Sequence, residues 1–256
     1  MTLGAVQGRA IHRKYTARMR ELDWGGVPNI RDLGGLAGRW GETRCGRVAR
    51  GPRRELIPEQ GWRVSRDWGL RTVVDLRCPE EQGRRDGDPR VEEETLRDVV
   101  IRCAPTEDHD NAEFRETCFP ILDSPEYWPH NLRILPGLVA AALTTLAAAE
   151  PGILVHCSAG RDRTGMVTAI LLANAGVAPG VVADDYAQSV RAMAGVASHA
   201  PTHDRQAAWS DEQVKAWLRR TRPLVERFAS GIPAHLEMIG LPETTRNRLR
   251  ELLLDA

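Results

Sequence analysis

The chain has 256 residues, 42% of them hydrophobic, enough to bury a sizeable core as a single domain over 1–256 with insertions. Thirty-five Lys and Arg balance 35 Asp and Glu, so no global field points to nucleic acid or to a membrane surface as partner. Nearly all of the positive charge is arginine, since only Lys14 and Lys215 are lysines.

Residues 1–20 form a polar lead-in, expected to be helical or frayed, without the apolar core of a secretory signal. No later window is apolar for long enough to span a bilayer, so stable membrane insertion is not expected and a reducing cytoplasm is the default location. The run Val27-Pro28-Asn29-Ile30-Arg31-Asp32-Leu33-Gly34-Gly35 reads as a strand and a turn, with Asp32 accepting from nearby backbone N–H groups. A strand within Arg44–Arg50 follows, then a helix over Pro58–Trp68 that carries Trp62 and Trp68 on or near a buried face. Thr72–Arg77 is an apolar strand ending in charge, and the charged run from Arg84 to Glu94, with Gly87 and Pro89, is a loop. Another strand is predicted over Leu96–Cys103, centred on Val99, Val100 and Ile101. The acidic, proline-containing stretch from Ala104 to Asp110 has the composition of a loop.

Beyond it, Tyr127 and Trp128 precede a helix in which Leu132, Leu135, Leu138, Val139, Leu143 and Leu146 keep helical spacing, Pro136 marking a kink or a new start. The helix after residue 165 ends near Asn174 and Gly176, and Pro179 opens the next. Periodicity is lost from Ala194 to Trp209; His199 and His203, four apart beside Pro201 and with no third ligand nearby, read as loop residues and not as a metal pair. Ser210-Asp211-Glu212-Gln213 is a capping box opening a helix with Val214, Trp217 and Leu218, and residues 179–230 are expected to form a helical lid. An amphipathic helix with Leu249, Leu252 and Leu253 closes the chain. The five cysteines, Cys45, Cys78, Cys103, Cys118 and Cys157, include no Cys-x2-Cys pair, so neither a disulfide framework nor a zinc site is expected.

The chemistry concentrates between Gly152 and Gly165. Ile153, Leu154 and Val155 read as a short buried strand, and Met166, Val167, Ile170 and Leu171 as the first turns of a helix. A loop that opens a helix aims unpaired N–H groups and the positive end of the dipole at one spot, which favours an anion. Cys157 and Arg163 bracket that loop with five residues between them. The N–H groups, the dipole and the arginine favour thiolate over thiol and so supply a nucleophile. Arg163 can hold two phosphoryl oxygens with its planar fork, Gly160 lets the backbone turn close to the ligand, and the Thr164 hydroxyl can donate to the sulfur as it leaves. His156, just before the thiol, has two readings: orienting the loop through its imidazole, or a satisfied core histidine.

His156-Cys157-Ser158-Ala159-Gly160-Arg161-Asp162-Arg163-Thr164-Gly165 resembles the active-site signature of the cysteine-dependent tyrosine phosphatase superfamily, more narrowly that of the atypical bacterial tyrosine/serine phosphatases. Asn29-Ile30-Arg31-Asp32-Leu33-Gly34-Gly35 resembles the N-terminal signature of the same family, where it braces the phosphate loop. The resemblance implies an α/β fold, a central mostly parallel sheet flanked by helices, with the phosphate loop at the carboxyl end of a strand. It also implies phosphomonoester hydrolysis through a cysteinyl-phosphate, without metal or cofactor, on a phosphorylated protein or a phosphoinositide. Ser158, Ala159, Gly160, Arg161 and His156 would then belong to the substrate-binding loop, and Arg77 and Glu80 would reach the cleft rim, the alternative, above all for Glu80, being a surface ion pair at a strand end.

One carboxyl must protonate the leaving group and later activate water. In this resemblance it belongs to the acidic loop, with Asp108 the first candidate, Asp110 the second and Asp162 a third whose alternative role is structural. The family usually has lysine where this chain has Arg161; charge is kept while fork and bulk differ, which bears on lipid selectivity. Relatives of this kind can be exported without a typical signal peptide, which leaves secretion open. Rival readings are a small-molecule phosphatase, a phosphate-binding module without catalysis, and a sulfurtransferase, the last needing neither Arg163 nor Thr164 at this spacing. Oligomeric state is not legible.

Overall fold

The computed structural model describes residues 20–196 and 209–255. Seven strands are described: β1 (Arg31–Asp32), β2 (Ala37–Gly38), β3 (Gly41–Glu42), β4 (Val48–Gly51), β5 (Thr72–Asp75), β6 (Val100–Cys103) and β7 (Ile153–His156). The α-helices are α1 (Glu59–Trp68), α2 (Glu93–Leu96), α3 (Ala112–Cys118), α4 (Trp128–Ile134), α5 (Pro136–Ala148), α6 (Arg163–Asn174), α7 (Pro179–Met193), α8 (Asp211–Ser230), α9 (Ile232–Met238) and α10 (Glu243–Leu253). The five-stranded sheet has the order β1-β4-β7-β5-β6; only β1 runs antiparallel to its neighbour. β2 and β3 make a separate hairpin.

The alternation of side chains along the central strands divides the interior in two. Val48, Val74, Ile153 and Val155 point into the larger core with α4, α5, α6, α7 and α10. Ala49, Val73 and Leu154 point the other way, onto Ile57, Trp62 and Trp24. Strand β7 is therefore apolar throughout, as a strand covered on both faces should be, whereas β6 lies at the sheet edge and leaves Val100 45% exposed. The strand expected from Leu96 begins only at Val100, because Glu93–Leu96 forms the short helix α2 and pairing with β5 starts at Thr72 opposite Val100.

Pro136 marks a new helix start and not a kink: α4 ends at Ile134, and Pro136 occupies the first position of α5, where a missing N–H costs nothing. Tyr127 and Trp128 are fully buried in the larger core. Helix α6 buries nearly every residue from Arg163 to Asn174, the pattern of a helix enclosed on all sides. The region expected as a lid comprises α7 and α8, which bury Val182, Tyr186 and Val190 on one and Val214, Trp217, Val225 and Phe228 on the other in the same core. Ser210 and Gln213 form the expected capping box. The lead-in up to residue 19, and His199 and His203, lie outside the described residues. Among the described residues no single helix is long and apolar enough to cross a membrane.

In-register pairing brings Gly51, His156 and Asp75 side by side at the carboxyl ends of β4, β7 and β5. Everything that follows those three residues therefore meets at one end of the sheet.

Candidate active site

Residues 157–162 join β7 to α6, and the conformation of this loop is set from outside. The Ser158 carbonyl accepts from the Arg53 backbone N–H at 2.9 Å, the Ala159 carbonyl from Asn29 Nδ2 at 2.9 Å, and the Gly160 carbonyl from Arg50 Nη2 at 2.6 Å. No cis peptide occurs among the described residues, and in a trans peptide the N–H of the following residue points opposite to the carbonyl. Three consecutive carbonyls drawn outward thus turn the N–H groups of Ala159, Gly160 and Arg161 toward the inside of the loop, the geometry of an anion cradle. Gly160 adopts φ +68°, and a Cβ there would lie 2.3 Å from the Gly51 carbonyl. Only glycine permits the loop to lie this close to the end of β4.

The outside ties converge on one carboxylate. Asp185, on α7, is buried and accepts from Arg20 Nη2 at 2.5 Å, Arg31 Nε at 3.0 Å and Arg50 Nη1 at 2.7 Å. Burial would raise its pKa, but Arg31, Arg50 and Arg20 outweigh that and hold the carboxyl well below the usual carboxylate range. Arg50 passes the constraint directly to Gly160, and Arg31 passes it through Asn29 Oδ1 at 2.7 Å to the loop. Asp32 fastens the neighbouring turn through the N–H groups of Gly34 and Gly46 at 2.7 and 2.8 Å.

Inside the loop, Cys157 is 2% exposed. His156 is fully buried, its Nδ1 3.1 Å from the Cys157 carbonyl and its Nε2 3.6 Å from Asp75 Oδ2. Burial lowers its pKa despite the Asp75 carboxylate. The imidazole thus reaches the backbone of the loop. The Thr164 hydroxyl is buried and has no hydrogen-bond partner among the described residues. Arg161 is buried with Nε 3.1 Å from Asp162 Oδ2.

Arg163 opens α6, and its guanidinium is gripped by both oxygens of Glu81, Nη2 at 2.7 Å from Oε1, with Glu107 Oε2 at 3.5 Å. Burial opposes its charge, but Glu107 and Glu81 raise its pKa well above the ordinary value. Glu81 is itself held by the Cys78 backbone N–H at 3.0 Å. Neither carboxylate stood out in the sequence, because 82 residues separate Glu81 from Arg163 and only the juxtaposition of β5 and β7 joins them.

Arg77 does not form the cleft rim. It is completely buried, with Nη2 2.6 Å from Asp75 Oδ2 and 2.8 Å from Glu55 Oε1, and so braces the end of β5 beneath the loop. The Glu80 side chain is 61% exposed and meets His109 Nδ1 at 3.2 Å. In the acidic loop, Asp108 Oδ1 accepts from the Asp110 N–H at 2.9 Å, closing a local turn, and Asp110 is exposed. The carboxylate of that loop which lies beside Arg163 is Glu107. Asp162 stands at the N-cap of α6 without capping it through its side chain, which is 17% exposed. The Cys78 thiol, near the same cluster, has its pKa raised by burial and then by Glu107, which makes it a poor rival nucleophile.

A sequence model described as "Tyrosine phosphatase family" matches residues 22–255. The triple specificity protein phosphatase PtpB of Mycobacterium tuberculosis is 26% identical over 92% of this chain and 99% of its own length. A putative tyrosine-protein phosphatase, H16_A0669 of Cupriavidus necator, is 28% identical over 72% of this chain and 65% of its own. The core catalytic domain of the PP-IP phosphatase SIW14 from S. cerevisiae, solved with citrate, overlaps 69% of this chain and 88% of that one. The overlap is loose, at 14% identity and a TM-score of 0.37.

Proposed function

Because the chain belongs to the tyrosine phosphatase family, and is thus a protein-tyrosine-phosphatase-like hydrolase of phosphorylated substrates, we propose that it works through a cysteinyl-phosphate on Cys157. The observation that carries this reading is the loop itself: a buried cysteine at its base, three carbonyls tied outward, and an arginine at the first position of the following helix. The phosphoryl oxygens fit the inward N–H groups and the guanidinium of Arg163, which must give up Glu81 or Glu107 as the dianion enters. Both exchanges replace one anion by another, so the buried guanidinium is never left uncompensated.

The Cys157 thiolate attacks phosphorus while the P–O bond to the leaving group breaks, and the departing oxygen takes a proton. Our candidate for that donor is Asp162, whose side chain is 17% exposed at the start of α6 and pairs with Arg161, 3.1 Å away, whereas Asp108 closes its own turn and Glu107 is buried against Arg163, the group that must receive the phosphate. Water then attacks phosphorus, its proton returns to the same carboxylate, and the S–P bond breaks. The Thr164 hydroxyl can stabilise the leaving sulfur, which accounts for a buried hydroxyl with no partner among the described residues.

The substrate class proposed is phosphotyrosine protein, with phosphoserine, phosphothreonine or phosphoinositide as further substrates; Arg161, within the loop, is buried and paired with Asp162, so it would serve a second phosphate only by exchanging that carboxylate for it. The test is phosphate release, with a chelator present, from a phosphotyrosine peptide, a phosphoserine peptide, a phosphoinositide and a nucleoside monophosphate. Preference for peptide or lipid, lost in Cys157→Ser, is the expected result. Turnover of the nucleotide alone would transfer the chain to small-molecule metabolism. A proton donor at Asp162 predicts that Asp162→Asn slows an alkyl phosphate about tenfold or more beyond an aryl phosphate, because the poorer leaving group needs the proton. If Glu107→Gln or Asp108→Asn shows that pattern instead, the role moves there.

A further inference from the structure

The end of β5 and the acidic loop after β6 bring together three side chains that the phosphatase chemistry does not use. Cys78 Sγ lies 3.7 Å from His109 Nε2, Glu80 Oε1 lies 3.2 Å from His109 Nδ1, and one ligand atom from each of the three falls within 4.8 Å of the others. We propose that Cys78, Glu80 and His109 form a binding site for a borderline-soft divalent cation of the zinc class, separate from Cys157.

The donor set decides the class of ion. Thiolate and imidazole select zinc-like ions over magnesium or calcium, which prefer an all-oxygen shell. Tetrahedral coordination with a sulfur at about 2.3 Å and nitrogen or oxygen at about 2.0–2.2 Å places neighbouring donors about 3.3–3.6 Å apart. The 3.2 Å between Glu80 Oε1 and His109 Nδ1 is close to that spacing; Cys78 Sγ lies nearer the other ring nitrogen, so the thiol or the ring must turn for one cation on Nδ1 to take all three donors, which already lie within 4.8 Å of one another.

Outer contacts suit the site as well. With the cation on Nδ1, the His109 Nε2–H keeps its bond to Glu107 Oε2, 3.1 Å away, the carboxylate–histidine–metal arrangement that fixes ring orientation. Glu80, largely exposed, gives the entry path, and the fourth position is left to water. Binding replaces the thiol proton of Cys78, which is released to solvent.

The location gives the site a consequence. Cys78 precedes and Glu80 lies within the short helix Pro79–Glu81 whose Glu81 grips Arg163, and His109 belongs to the loop that carries Glu107. A bound cation would cross-link the two segments that supply both carboxylates to Arg163 and hold them there. Resting on the proposed role of Arg163 in phosphate binding, the cation would act as an inhibitor that competes with substrate.

The test uses the Cys157→Ser protein, which removes the reactive thiol, titrated with Co2+ for its thiolate absorption and with Zn2+ by calorimetry. One equivalent with a cobalt–thiolate band is expected, weakened about tenfold or more by a further Cys78→Ser or His109→Gln. Because Cys78 is buried, Glu80→Gln at the surface serves as a third variant that leaves the core intact and should also weaken binding. Unchanged affinity and band in all three would overturn the site, and so would a cobalt spectrum without a thiolate band. These readouts need no turnover, so failure of the phosphatase reading would leave them interpretable. Zinc inhibition of the wild-type enzyme that raises KM and is relieved by His109→Gln tests the consequence separately.

Discussion

Gly160 shows how little room the loop leaves at the scale of one residue. A methyl group there would meet the Gly51 carbonyl at 2.3 Å, in a backbone region that side chains rarely adopt. Gly160→Ala should destabilise the fold by about 1–3 kcal/mol and lower kcat about tenfold or more, because the loop can relax only by moving its N–H groups. Thermal unfolding and steady-state kinetics check both halves; an alanine variant with normal kcat would mean that the cradle tolerates displacement. The residues of the loop were legible in the sequence because they are contiguous, and a Cys-x5-Arg between an apolar strand and a helix has few other readings. The ones that hold it were not. Glu81, Glu107, Arg50 and Asn29 reach it from other elements, and periodicity says nothing about which charged ends meet. Arg77 was misplaced because the resemblance put it at the cleft rim, and only the juxtaposition of Asp75 and Glu55 shows that it is buried beneath the loop.

Helix α7 carries the strongest link between elements. Asp185 ties three arginines from the N-terminal part of the chain to a helix more than a hundred residues later. One signal could have revealed it: Val182, Tyr186, Ser189 and Val190 define a buried face, and Asp185 is an acid on that face. Asp185→Asn leaves buried guanidinium charge uncompensated and should cost about 3–5 kcal/mol. The sign with pH follows from a folded pKa held below the unfolded one. The stabilisation is complete above the unfolded carboxylate value of about 4 and is lost as pH falls through the folded value. Urea unfolding of wild type and Asp185→Asn from pH 7 down should therefore converge only in strong acid. A gap that is already closed at pH 5 would show that the carboxylate is not what holds the arginines.

Across the whole molecule, the order β1-β4-β7-β5-β6 places the phosphate loop at the centre of the sheet, where three strand ends are in register. The α/β class follows from the family resemblance, while apolar residues mark the central strand β7, covered on both faces, the helix α6, covered nearly all round, and the helix α1, buried on one face through Trp62. Where α7 and α8 would sit was less legible. Helical spacing identifies an apolar face without naming its partner, and here both faces join the main core. The central claim is that Cys157 becomes phosphorylated during turnover. Rapid acid quench of the enzyme with a phosphotyrosine peptide, followed by mass spectrometry of the peptide containing residue 157, tests it directly. The account predicts a phosphoryl adduct on Cys157 that forms before phosphate is released and is absent from Cys157→Ser. Turnover that proceeds with no adduct at any time, and that survives in Cys157→Ser, would contradict it.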